Sequence, residues 1–71
     1  MRQKTLMIGD IVVDNTGYRV REPLVVIFIN NNTITCETEN LQQVEYSRDD
    51  LQFVKRPNKH ELQELKQWHN I

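Results

Sequence analysis

The sequence predicts a mainly β protein: a small five-stranded barrel over about residues 6–54, followed by a C-terminal α-helix over about 59–70. Three observations lead there. Of 71 residues, 18 are β-branched and none is Ala; β-branched side chains pack well on pleated surfaces, and Ala is the best helix former, so a helical bundle is disfavoured. Period-two alternation recurs through the first three quarters of the chain, and the tail changes to a helical period. Finally, 13 side-chain amides stand beside only two Gly and two Pro, which excludes low-complexity and collagen-like repeats. A chain this short is one domain, burying only roughly 60% of its unfolded surface.

The elements follow in order. Leu6-Met7-Ile8 and Ile11-Val12-Val13 flank Gly9-Asp10, which reads as a turn or bulge opening a strand. Asp14-Asn15-Thr16-Gly17 is a cluster of turn formers. Tyr18-Arg19-Val20-Arg21 alternates as a strand, and Glu22-Pro23 ends it because Pro lacks a ladder donor. Leu24-Val25-Val26-Ile27-Phe28-Ile29 is the strongest strand, with both faces covered or a strong bend. Asn30-Asn31-Asn32 turns the chain, since Asn tolerates positive φ. Thr33-Ile34-Thr35-Cys36-Glu37-Thr38 returns, with Ile34 and Cys36 inward and Thr and Glu outward; residues 24–38 are a hairpin.

A loop over residues 39–43 leads to Val44-Glu45-Tyr46, with Val44 and Tyr46 on one face. Ser47-Arg48-Asp49-Asp50-Leu51 reads as one helical turn capped by Ser47, with two acids at its positive end and Leu51 tucked inward. Gln52-Phe53-Val54 is the last strand. Asn58 and Glu61 form a variant of the capping box, and Leu62, Leu65 and Trp68 cover one broad helix face. A helix of about three turns is marginal alone, so residues 57–71 must pack on the barrel of residues 1–56 or on a partner chain.

Gly9-Asp10-Ile11-Val12, the 24–38 hairpin and the closing Ser47-Arg48-Asp49-Asp50-Leu51-Gln52-Phe53-Val54 together resemble the SH3-like small barrel. The Gly-Asp-x-Val opening with a late acidic-acidic-Leu turn is similar to small bacterial families of this fold, and more distantly to KOW-type and Tudor-like barrels. The resemblance implies a fold and carries no function by itself. The familiar ligand sites of these relatives do not carry over: there is no paired-Trp signature for PxxP ligands, no aromatic cage, and no Gly-rich basic first half.

Charge and chemistry narrow the function classes. Residues 1–21, 22–54 and 55–71 carry formal charges of +2, −5 and +2, a segregation that suits self-association. No overall basic excess serves duplex nucleic acid. Arg19, Arg21, Lys55 and Arg56 are the candidate surface for RNA or single-stranded DNA, with ordinary solubilising charge as their competing role. Leu62, Leu65 and Trp68 are the candidate partner-binding residues, Trp68 as anchor. His60, Glu64 and His69 lack metal-site spacing. Asp10, Asp14, Asp49 and Asp50 are explained by turns, not by a catalytic pair, and Ser47 has no readable His partner. No cofactor motif is present, and Cys36, the single cysteine, reads as a buried thiol. No apolar run approaches the ~18 residues of a membrane span, and the first residues lack a secretory h-region, so a reduced, cytoplasmic setting is expected. The chain is expected to be a non-catalytic module that binds a protein or a second copy of itself, with nucleic-acid binding as the alternative.

Overall fold

The computed structural model describes residues 5–17 and 22–71. The chain forms β1 (Ile11–Asp14), β2 (Leu24–Asn30), β3 (Thr33–Glu37), β4 (Gln43–Ser47), a 3₁₀ turn (Arg48–Asp50), β5 (Leu51–Lys55) and α1 (Lys59–Trp68). The strand expected over residues 18–21 lies outside the described residues. All five strands join one antiparallel sheet in the order β4-β3-β2-β1-β5. The expected barrel is corrected on one point: β4 and β5 are the two edges, no ladder joins them, and the sheet is open there.

The sheet nonetheless curls strongly. The Tyr46 hydroxyl on β4 donates to Asp14 Oδ2 on β1 at 3.2 Å, although two strands lie between them. In a flat sheet three strand spacings separate β4 from β1 by ~14 Å, beyond the reach of one side chain. Register shifts between Ile11 and Val12 and between Val26 and Phe28 supply bends. The second shift explains the uninterrupted apolar run in β2. Leu24, Val25, Val26 and Ile27 are all buried because the strand bends at Ile27 and presents both faces to cover.

Leu6, Val12, Leu24, Val26, Ile34, Cys36 and Leu51 form the core, with Ile29, Tyr46 and Phe53 against it. The 24–38 hairpin stands, and Asn31 takes the positive φ of 55° that its turn requires. Ile34 and Cys36 point inward as alternation predicts, and Val44 and Tyr46 share the half-buried face of β4. Glu37 does not follow the pattern: it is fully buried, not outward. Ser47 makes no side-chain cap to the 3₁₀ turn, and its Oγ instead accepts from Asn32 Nδ2 at 3.2 Å. Leu51 is buried as expected but opens β5 instead of closing the turn.

The helix begins where the capping box sets it. Asn58 Oδ1 accepts from the Glu61 backbone at 2.8 Å, and Glu61 Oε1 accepts from the Asn58 backbone at 3.1 Å. It ends at Trp68, two residues before the expected Asn70, with His69 extended beyond it. None of its residues is fully buried, so α1 is held by a few discrete contacts. One is Leu62 over Gly9, where an added Cβ would lie 2.5 Å from Leu62 Cδ1. Gly9 also carries a φ of +98° in the turn closed by Asp10 N–H to Met7 O at 3.1 Å.

Gly9→Ala is therefore expected to cost about 2 kcal/mol, mostly from the left-handed backbone. Leu62 is half-buried and can yield part of the clash. For a chain this size the thermal midpoint should fall by roughly 8–16 °C. An unchanged midpoint would show that neither the turn nor the helix contact constrains this position.

Candidate functional site

The site is built where α1 returns along the sheet end formed by β1 and β5. Lys55, opposite Ile11 in the ladder, is the last residue of β5. Arg56 and Pro57 then turn the chain into the capping box. Two clasps fix this return. Arg56 grips the buried Asp10 carboxylate through Nε at 2.9 Å and Nη2 at 3.0 Å, and Nη2 also donates to Thr5 O at 2.7 Å. The hydrogen bonds that Arg56 donates to Asp10 raise its pKa further, and the guanidinium stays charged. Arg56 also lies 5.8 Å from the Phe53 ring centroid. Lys55 Nζ meets Glu61 Oε2 at 2.7 Å, which holds the Glu61 carboxyl below the ordinary carboxylate value.

A third clasp secures the far end of the helix. Glu37 Oε1 lies 2.8 Å from His69 Nδ1 and accepts from Asn70 N at 3.3 Å; Oε2 accepts from Asn70 Nδ2 at 2.9 Å and Gln43 Nε2 at 3.4 Å. Burial alone would raise this carboxyl, but the hydrogen bonds from His69, Asn70 and Gln43 outweigh it and hold Glu37 below its ordinary value. An ionised carboxylate only accepts, so His69 Nδ1 carries the donated proton. The helix thus docks on its own chain at both ends.

Between the clasps lies a groove of about 320 Å³, its apolar lining made by Ile11, Pro57, Leu65 and Trp68. Lys55, Glu61 and Glu64 form its charged rim. Trp68, the only tryptophan, is 73% exposed. A smaller hollow on the other flank of α1, about 160 Å³, includes Met7, Ile8 and Leu62. Both Met7 and Ile8 are exposed, so apolar surface continues around the helix.

The expected partner-binding residues are therefore split. Leu65 and Trp68 share the groove, while Leu62 faces Gly9 on the other flank. The candidate nucleic-acid residues are not assembled into one free basic surface among the described residues. Lys55 and Arg56 are committed to Glu61 and Asp10, and Arg19 and Arg21 lie outside the described residues. His60 and Glu64 face each other at 3.5 Å on exposed surface, while His69 turns to Glu37. Among the described residues no group of three or more His, Cys, Asp or Glu side chains gathers around a common point. Asp14 serves its turn, accepting from Thr16 N at 2.7 Å and from the Thr16 hydroxyl. Burial pushes the Cys36 thiol up to about 12, which leaves it without thiolate character at neutral pH.

Sequence reasoning missed Glu37 and the pairing of Asp10 with Arg56. Both lie in segments whose local patterns are satisfied without them, and their partners are 32 and 46 residues away. Comparison with protein-family models, curated proteins and solved structures returns no match. No helix among the described residues is long and apolar enough to cross a membrane.

Proposed function

We propose that this chain is a small non-catalytic interaction module, an SH3-like barrel in scaffold, that binds protein through the groove between α1 and the β1/β5 end of the sheet. One observation carries the reading: the largest apolar side chain of the protein stands 73% exposed at the mouth of an apolar groove. An exposed Trp beside a concave apolar surface has the composition of an interface anchor. The clasps at Lys55, Arg56 and Glu37 support it by holding the groove in shape without a ligand, which lowers the ordering cost of binding. Self-association, the expectation from segregated charge, is one form of this reading. The nucleic-acid alternative draws little support, because two of its four cations are already paired.

The test is Trp68→Ala. Peptide segments selected from a random display library on the wild-type chain should lose at least roughly tenfold in affinity on the variant, the scale of an interface anchor. The thermal midpoint should move by no more than a few degrees, because the side chain is mostly in solvent already. Selected segments that bind both forms equally, or an empty selection, would overturn the reading. In a low-salt titration, a single-stranded oligonucleotide should give no shift; binding that weakens with salt and with Lys55→Ala would establish the alternative instead.

A further inference from the structure

Resting on that reading, we infer that the groove takes an apolar segment of another protein that carries a Lys or Arg, and that it does not receive a second copy of this chain groove to groove. The floor suits a long aliphatic stem, since Ile11, Pro57 and Leu65 line it and the indole of Trp68 offers a face for the cation. Glu61, Glu64 and Trp68 recur at i, i+3 and i+7, so both carboxylates stand on the Trp68 side of α1.

The charges on the rim decide the sign of the partner. Lys55 and Glu61 neutralise one another at 2.7 Å, and the other Glu61 oxygen accepts from the Asn58 backbone. Glu64 is left as the carboxylate that faces solvent, its side chain 69% exposed and its contact being with the still more exposed His60 at 3.5 Å. Among the described residues that line it, the groove therefore carries a net negative charge next to an aromatic face.

A second copy meets that surface badly. A two-fold contact places the same patch on both sides, which sets Glu64 of each copy toward an acidic rim whose lysine is already taken. The size of the groove points the same way. About 320 Å³ is at the low end of the ~300–1,000 Å³ found for ligand clefts, room for one or two side chains of an extended or helical segment.

Trp68 is the only tryptophan, so its emission reports directly on occupancy. The probes are three end-capped peptides, Gly-Leu-Arg-Leu-Gly and its Gln and Glu counterparts, titrated into the full chain. The Arg peptide should bind about two- to fivefold tighter than the Gln peptide, with the Glu peptide weakest, a modest effect appropriate to an exposed charge. The gap should close in about 1 M salt, where the Debye length is ~3 Å. Glu64→Gln should shrink the Arg preference to what the Trp68 face alone supplies, and Glu64→Lys should weaken the Arg peptide below the Glu peptide. Equal binding of the Arg and Gln peptides would overturn this inference and leave the groove itself standing. Failure of all three peptides to perturb Trp68 would overturn the inference, and an empty display selection alongside it would take the groove reading down as well. A dimer in sedimentation equilibrium that Trp68→Ala dissolves would overturn it in favour of the second copy.

Discussion

Glu37→Ala is expected to destabilise the protein by about 3 kcal/mol, a fall in thermal midpoint of roughly 12–24 °C for a chain of this length. The carboxylate is fully buried and serves three donors from the C-terminal pair His69 and Asn70, plus Gln43. Removing it leaves the nearly buried His69 imidazole without an acceptor and releases the exposed Asn70. The damage should spread to α1. A helix with no fully buried residue depends on its end contacts, so its amides should exchange faster in the variant than those of β2 and β3.

The pH dependence has a definite sign. The folded-state pKa of Glu37 lies below its ordinary value of 4.5, so the folded chain binds that proton less readily than the unfolded chain. The stability it contributes is fully present above about pH 4.5 and is lost as the pH falls through the lower folded-state value. Denaturation followed from pH 6 to pH 3 should show an acid limb in the wild type. Glu37→Gln, which cannot ionise, should have a flatter profile and a lower plateau. An acid limb of equal depth in Glu37→Gln would place its origin elsewhere.

What the sequence made legible divides by range. The hairpin, the Asn31 turn, the inward positions Ile34 and Cys36 and the Asn58–Glu61 capping box depend on neighbours within a few residues or on simple alternation, and each is found in the fold. Glu37 was expected outward because alternation sees only the strand. Its burial is decided by His69 and Asn70, which arrive from the opposite end of the chain. Lys55 and Arg56 were candidates for binding phosphates because a cation read in isolation looks available. Here Arg56 is committed to the buried Asp10 carboxylate and Lys55 to the exposed Glu61 of the same chain. The Leu62, Leu65 and Trp68 stripe was legible as an apolar face, but its division between two flanks follows from the helix lying along Gly9 and Ile11.

These corrections share a physical cause. A chain of 71 residues has too little apolar surface to enclose a separate helix, so α1 is attached by hydrogen-bonded charge pairs at its start and end. Buried or half-buried carboxylates with several donors can do this where a larger core would use Leu or Ile. The arrangement leaves the helix fixed in place and Trp68 outside, which is the condition a preformed binding groove requires.

The start of that attachment carries the second large effect. Asp10→Ala is expected to cost about 2–4 kcal/mol, because this nearly inaccessible carboxylate accepts from Met7 N at 2.8 Å as well as from Arg56 Nε and Nη2. Its loss opens the Met7–Asp10 turn on one side and frees the residue that precedes Pro57 on the other. Asp10→Asn should recover less than half, since the amide keeps one acceptor but turns its NH₂ toward a donor. If the clasp acts as a unit, Asp10→Ala and Arg56→Ala combined should lose hardly more stability than Asp10→Ala alone, the non-additivity expected of residues in direct contact. Urea denaturation measures all four forms, with an unchanged m-value indicating that the rest of the fold is intact. The same variants should weaken peptide binding at the groove, although Asp10 does not line it, because the path from Asp10 through Arg56 and Pro57 sets where α1 begins. Full stability in Asp10→Ala, or full additivity with Arg56→Ala, would show that the buried pair is incidental and that Leu62 over Gly9 and the Glu37 clasp suffice to hold the helix.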